Sequence, residues 1–402
     1  MESWSSPSLP VTNRVITELT LKDSITRNPY QPVKNNSLRM YVCGITPYDS
    51  AHIGHLFTYL TFDILNRVAR NVGADVRYVQ NVTDIDDPLF EKARLIGVPW
   101  DEISSKQIAK FKSAMEYLRI IPPDIYATVT DEIDEIIEMA NSLKQMSYNI
   151  GETSYFATSF NDLAEFTRLS ETELINLSRL RGGDPDDLRK RNPVDPKIWV
   201  ESASDEPSWK SELGIGRPGW HIECVAITRK YLGNTFDVQG GGQDLVFPHH
   251  AFCDEINRSL FGEPLARGYL HVNLVEYQGE KMSKSLGNLV FLEDLQNMGY
   301  SADEIRIALL SQDWHSGWEF TFDMVAQAKA AFEKFKSDAA NSLLPSKAQI
   351  VNLMSTLLAN DLQISRLIEE LFKLERIPSN ENDKREVSDL LMSILGVSLI
   401  KE

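Results

Sequence analysis

Cysteine is scarce in this chain: Cys43, Cys224 and Cys253 are the only three in 402 residues. So few thiols, so far apart, exclude a secreted disulfide scaffold. They fit a reducing compartment, and the cytoplasm is the expected location. No apolar run approaches the roughly 18 residues that span a bilayer. The first residues, MESWSSPSLP, lack the basic start and apolar stretch of a signal peptide. Basic side chains are also in deficit, 41 against 58 acidic ones, for a formal net charge of -17. That balance disfavours non-specific binding to polyanions and argues against a broad nucleic-acid footprint. There is no internal repeat. A hydrophobic content of 42% over this length points to a soluble globular protein of two or three domains.

Residues 1–35 are polar and broken by Pro7, Pro10, Pro29 and Pro32, so they read as an extended arm with one short strand near Val15–Leu21. The apolar run Leu38–Cys43 reads as a strand entering the turn GITPYDS. The next segment, AHIGHLFTYLTFDILNRVARNVG, places apolar residues at helical spacing and stops at Gly73. ADVRYVQNV then reads as a second strand. Strand, turn, long helix and strand make a βαβ unit, the start of a parallel α/β sheet. Residues 90–150 read as mostly helical and 151–205 as irregular. The sheet pattern returns in NTFDVQGGGQDLVFPHH and GYLHVNLVEYQG. The expected division is an arm (1–35), a Rossmann-like catalytic domain (36–310) with an insertion at about 120–205, and a helical C-terminal domain (311–402). A polar connection is expected at 377–384.

The chain has seven histidines, and six fall in short segments that otherwise look functional. The first segment is AHIGH, residues 51–55, at a strand-to-helix turn. A helix start offers free N–H groups and a partial positive charge, Gly54 lets a nucleotide approach the backbone, and His52 and His55 can donate to phosphate oxygens. The second is KMSKS, residues 281–285, where Lys281 and Lys284 make a cationic loop suited to the charge that develops in phosphoryl or adenylyl transfer. Alone, the first could be a capping or metal feature and the second a solvated basic turn. As a pair, on either side of an α/β half, they resemble the paired signature of class I aminoacyl-tRNA synthetases. That resemblance implies a Rossmann-like parallel sheet, ATP with Mg as co-substrate, and adenylate chemistry at the carboxyl ends of the strands. It also implies nucleotide or adenylate contacts from Cys43, Gly44, Ile45, Thr46, Thr58, Asn81, Val82, Thr83, Trp220, Gly242, Gln243, Asp244 and Val275. Asp244, in GGGQD, would bond the ribose hydroxyls.

Cys43, Cys224 in GRPGWHIEC, and His249 in FPHH are residue types that zinc prefers. Residue type alone leaves two readings open, zinc ligands or inert core cysteines. Their segments resemble those that carry zinc in the cysteine-specific members of the superfamily. The resemblance therefore implies one zinc per chain on Cys43, Cys224 and His249, with the fourth position open to the substrate thiolate. A soft metal rewards sulfur over oxygen, which packing alone would not do against serine. Cysteinyl-tRNA synthetases carry a glutamate ligand four residues after that histidine; here the position is Cys253. A Cys₃His site would be closed to substrate, whereas in mycothiol ligases this position is not a ligand.

Two relatives share these features: cysteinyl-tRNA synthetase, and the ligase family that joins cysteine to the amine of glucosaminyl-inositol in mycothiol synthesis. MESWSSP, TPYDSAHIGHLFTYLTFD with Pro47, NVTDIDDPLFEKA and RGGDP (Arg181–Pro185) resemble the second, although Leu180 stands where that family's motif begins with glutamate. The tail has no basic patch with interleaved aromatics, and LANDLQIS departs from the family pattern. The resemblance thus implies L-cysteine, ATP and glucosaminyl-inositol as small-molecule partners, with no nucleic acid and no membrane; a monomer is expected. A compact cysteinyl-tRNA synthetase is the alternative, and a non-catalytic paralogue that binds cysteine or nucleotide is the alternative of another class.

Overall fold

The computed structural model describes residues 1–48, 51–282 and 287–400. Its centre is a five-stranded parallel sheet of β1 (Ser37–Ile45), β2 (Asp75–Val82), β3 (Ile125–Thr128), β4 (Val238–Gly242) and β5 (Tyr269–Val272), in the order β5-β4-β1-β2-β3. β1 reads as a nearly unbroken apolar run because both its faces are covered, as in most parallel sheets. From β1 the chain moves outward through β2 and β3, then returns to add β4 on the other side. The connections leaving the carboxyl ends of β1 and β4 therefore diverge, and a crevice opens between them.

The long helix α1 (Ile53–Val72) follows β1 and ends at Gly73, whose φ of 95° suits glycine. α1 is buried on most of its surface because it lies between the sheet and the C-terminal helices. One continuous apolar core runs from Trp4 through α1 and the sheet to Leu399. The helical tail thus shares its core with the sheet. Several buried polar groups on α1 tie it to other segments. Asn71 accepts from the Val15 and Ile16 amides, so the segment expected as a strand at Val15–Leu21 is instead held by a side chain. The arm's strand is Leu21–Lys22, paired with Pro29–Tyr30. The unusual LANDLQIS segment receives the arm: Asp361 accepts from the Lys22 amide, and the Asp361 amide donates to Thr20.

The stretch between the two halves of the sheet is more regular than expected. Ile125–Thr128, inside the presumed insertion, pairs with β2 in the central sheet. A second, antiparallel sheet joins Ser147–Ile150, Thr153–Phe156, Lys197–Val200, Gly214–Pro218 and Trp209–Ser211, so it extends beyond residue 205. Helices Phe160–Thr167 and Glu171–Leu180 occupy the segment read as irregular, the latter starting on a Ser170–Glu173 capping box. Residues 377–378 form a short strand pair with Leu343–Leu344, and a helix begins at Glu381, so the polar connection is shorter than expected.

Glu255 clasps this insertion to α3 (Ala251–Phe261). One carboxylate oxygen accepts from the Ser159 amide at 2.7 Å, and the other is buried without a partner. Burial pushes its pKa up to about 8. The unfolded chain, with a pKa near 4.3, releases that proton first, so folding holds a proton across the interval and stability falls as pH rises from about 4 to 8. Glu255→Gln is expected to stabilise the protein by a few kcal/mol at about pH 8–9 and by little at about pH 5. Urea unfolding midpoints at the two pH values measure this; an equal change at both would contradict it.

Candidate active site

A cavity of about 530 Å³ fills the crevice at the carboxyl ends of β1 and β4. Cys43, Gly44, Ile45 and Thr46 line it from the end of β1, and His52, His55 and Thr58 from the start of α1. Trp220, Gly242, Asp244, Val275 and Lys281 line the facing side. The motif halves, more than 200 residues apart in sequence, therefore face one another across one space. Backbone pairing draws them together: Ile53 donates to Val290 at 2.8 Å, and His52 bridges Phe291. The His52 and His55 rings stack with centroids 3.8 Å apart, and Gly54 lies beneath the His52 ring, where a Cβ would come within 3.2 Å of it. Lys284 lies outside the described residues.

Asn81, Val82, Thr83 and Gln243 are not among the cavity-lining residues. Asn81 is the strut beneath the cavity floor: its side-chain oxygen accepts from the Gly44 amide and the Tyr41 hydroxyl, both at 2.8 Å, and its amide nitrogen donates to Thr83. The fit is so close that a Cβ on Gly44 would stand 1.6 Å from the Asn81 carbonyl oxygen. Lys281 reaches across the cavity to Asp244 at 2.9 Å. Burial works against the Asp244 charge, but Lys281 and Arg181 outweigh it and hold the carboxyl below its usual range.

Behind Trp220 lies a buried set of sulfur and imidazole groups. β1 supplies Cys43, α2 (Trp220–Leu232) supplies His221 and Cys224, and the turn before α3 supplies His249 and His250. Trp220 stacks on His249 at 4.1 Å. Cys43, His249 and His250 offer ligand atoms within 4.8 Å of one another, as do His221, His249 and Cys253. Cys224, expected as the third ligand, is in neither of these two sets, although it interacts with Cys43, His249 and Tyr41. Burial opposes its ionisation, yet interactions with Cys43, His249 and Tyr41 hold its thiol well below the ordinary range. Burial pushes the Cys43 and Cys253 thiols up, so one thiolate is favoured where three sulfurs cluster. Burial, with neighbouring histidines, also pushes His221 and His250 well down, so those rings are neutral and able to bind a metal. Sulfur and imidazole side chains gathered in this way are the donor types of a zinc centre.

The family of class I (C) tRNA synthetase catalytic domains matches residues 29–330. The chain is 41% identical over 411 residues to the L-cysteine:1D-myo-inositol 2-amino-2-deoxy-alpha-D-glucopyranoside ligase of Thermobispora bispora, covering 99% of this chain and 100% of that protein. It is 38% identical over 412 residues to the ligase of the same name from Rhodococcus erythropolis, again covering 99% and 100%. The chain belongs to this ligase family. Its fold is also that of the Mycobacterium tuberculosis methionyl-tRNA synthetase in complex with methionyl-adenylate, with a TM-score of 0.59 at 15% identity over 83% of this chain and 82% of that one.

Several neighbours of the ligase's buried cysteine and histidine cluster were not marked by the sequence. His250 contacts Cys43 at 3.1 Å and His271 at 2.7 Å, and His271 meets Ser24 of the arm at 2.5 Å. Gln239 donates toward both Cys43 and His250, at 3.3 and 3.0 Å. The crowding of histidines signalled that these rings mattered. Nothing marked Gln239 or Ser24, because their roles arise only when β4 and the arm come to lie beside β1. Among the described residues no helix is long and apolar enough to cross a membrane.

Proposed function

We propose that this ligase activates L-cysteine as cysteinyl-AMP, using ATP with Mg, and transfers it to the amine of glucosaminyl-inositol, giving Cys-GlcN-Ins, AMP and diphosphate. The observation that carries the reading is one crevice lined by His52, Gly54 and His55 of the first motif and by Lys281 and Met282 at the start of the second, with sulfur and imidazole donors immediately behind Trp220. Cys43, Cys224 and His249 would hold zinc, and His250 stands close enough to be a further donor. When bound, zinc lowers a thiol's pKa and selects sulfur over oxygen.

The chain's own residues divide the remaining work. The start of α1 offers His52, His55 and the positive end of the helix to the phosphates. Thr46, Thr58 and the backbone at Gly44 and Ile45 shape the near wall. Gly242 admits the nucleotide and Asp244 holds the ribose, which requires Lys281 to leave Asp244. Lys281 is then free to stabilise the charge that develops as diphosphate departs, together with Lys284. The substrate carboxylate attacks the α-phosphate, and the acceptor amine then attacks the activated carbonyl.

Lys281→Ala is expected to slow cysteine-dependent ATP–diphosphate exchange by about 100-fold, the low end for a transition-state donor, because Lys281 is half exposed. A Lys281→Ala, Lys284→Ala double variant that exchanges at the normal rate would remove both lysines from the mechanism.

A further inference from the structure

The RGGDP segment, residues 181–185, has no part in the reaction proposed for the crevice. It follows helix Glu171–Leu180, whose Leu174 shares a small apolar core with Phe247 and Phe252. That core fixes the helix against the chain just beyond Asp244. The helix ends in a tight turn. The Arg181 and Gly183 amides both donate to the Ser178 carbonyl, at 3.1 and 2.8 Å. Gly182 has a φ of 82°, which glycine adopts without strain. A Cβ on Gly183 would stand 2.2 Å from Ser178 Oγ and 2.9 Å from the Ser178 carbonyl oxygen. The turn therefore needs both glycines. Arg179 closes its far side with two bonds to Asp186, at 3.0 and 2.7 Å. So shaped, the turn directs Arg181 to the edge of the crevice, where its Nη1 donates to the Asp244 carbonyl at 2.7 Å. Leu180, at the position where the family motif begins with glutamate, is exposed to solvent.

Asp244 thus meets two cations in different ways. Lys281 pairs with its carboxylate, whereas Arg181 grips its backbone. Burial works against the Asp244 charge, and both cations favour it. A ribose hydroxyl competes with Lys281 for the carboxylate and leaves the backbone contact untouched. We propose that Arg181 is a positioning residue for the nucleotide: it fixes the loop that presents Asp244 to the ribose, and it remains as the neighbouring cation once Lys281 has moved to the phosphates. The proposal rests on the reading that Asp244 holds the ribose. Nucleotide binding and the order of the RGGDP turn are thereby linked, each favouring the other.

The test measures equilibrium dissociation constants of the full chain for Mg-ATP and for 2′,3′-dideoxy-ATP, which lacks both ribose hydroxyls. Cysteine is left out so that no turnover occurs. Arg181→Ala is expected to weaken ATP about tenfold, the size of one hydrogen bond to a charged group. Dideoxy-ATP should stay within about twofold of wild type, the scatter of independent effects. Arg181→Lys keeps the charge and should fall between wild type and alanine. On an Asp244→Asn background, Arg181→Ala should add nothing further, as expected of residues that act through one another. Arg181 is an exposed side chain, so its variants should fold as the wild type does. Equal weakening of both nucleotides by Arg181→Ala would mark a general loosening of the insertion and overturn the proposal, as would full additivity with Asp244→Asn. If Asp244→Asn keeps the preference for ATP over dideoxy-ATP, the ribose reading falls and the proposal with it. If Asp244→Asn loses that preference while Arg181→Ala keeps it, the proposal alone falls.

Discussion

Cys224→Ser is expected to abolish cysteine activation, lowering cysteine-dependent ATP–diphosphate exchange by well over 100-fold. Removing only an outer partner of a metal site typically costs about 10–100-fold, and Cys224 is proposed as a direct ligand. Its position supports that assignment. Cys224 is buried on α2 against Cys43, His249 and Tyr41, and of the three thiols it is the one held toward the thiolate. The serine hydroxyl is a harder donor that does not ionise near neutral pH, so the variant should purify with little zinc. Discrimination against serine as substrate should weaken in parallel, because packing alone separates such near-isosteres poorly. Metal analysis and exchange assays with cysteine and serine check both points. A variant that keeps stoichiometric zinc and normal exchange would contradict the assignment.

Asp63→Ala is expected to destabilise the fold by about 3–5 kcal/mol, the range for breaking a buried ion pair by removing one partner. Asp63 sits in the middle of α1, fully buried, with Arg67 at 2.8 Å and Arg306 at 2.7 Å on one oxygen and the Ile121 amide at 2.9 Å on the other. Burial alone would raise its pKa, but the two guanidinium groups outweigh it and hold the carboxyl below its usual range. The same arginines fasten distant segments to α1. Arg306 donates to the Leu118 and Leu395 carbonyls, and Arg67 to those of Arg119 and Met392. The alanine variant would leave two buried cations facing carbonyl oxygens alone. Since natural domains are stable by only about 5–15 kcal/mol, a large fall in the denaturant midpoint should follow. A midpoint within about 0.5 kcal/mol of wild type, as for an ordinary surface substitution, would show that the cluster is not needed.

The segments that line the candidate crevice were legible in the sequence because they are local. AHIGH sits at a strand-to-helix turn, and such a turn presents the same groups wherever it occurs. KMSKS, GGGQD and FPHH are likewise short segments whose chemistry can be read from residue type. What was not legible depends on segments meeting over long distances. FPHH offers two adjacent histidines, and the extended backbone at Phe247, with φ of -133° and ψ of 134°, sets how both rings enter the centre. The sequence therefore pointed to His249 and could not show that His250 contacts Cys43. Gly44 reads as a flexible turn residue, yet it is required because the Asn81 carbonyl occupies the space of a side chain. Ile125–Thr128 is too short and too close to a proline pair to announce a strand, and only its pairing with β2 makes it one. Arg306 looks like an ordinary charge in a helix, whereas the folded chain buries it against Asp63. Capping boxes at Ser170 and Ser301 are local helix signals, the first set within a stretch whose charged and Gly/Pro-containing run reads as irregular.

The central claim is that cysteine, once activated in this crevice, is passed to an amino sugar. Its most direct test is AMP release by the purified protein supplied with ATP and L-cysteine, then with either glucosaminyl-inositol or tRNA added. Release is expected to rise only with glucosaminyl-inositol and to yield Cys-GlcN-Ins in equal amount. Release stimulated by tRNA alone, with cysteine found on the RNA, would contradict it.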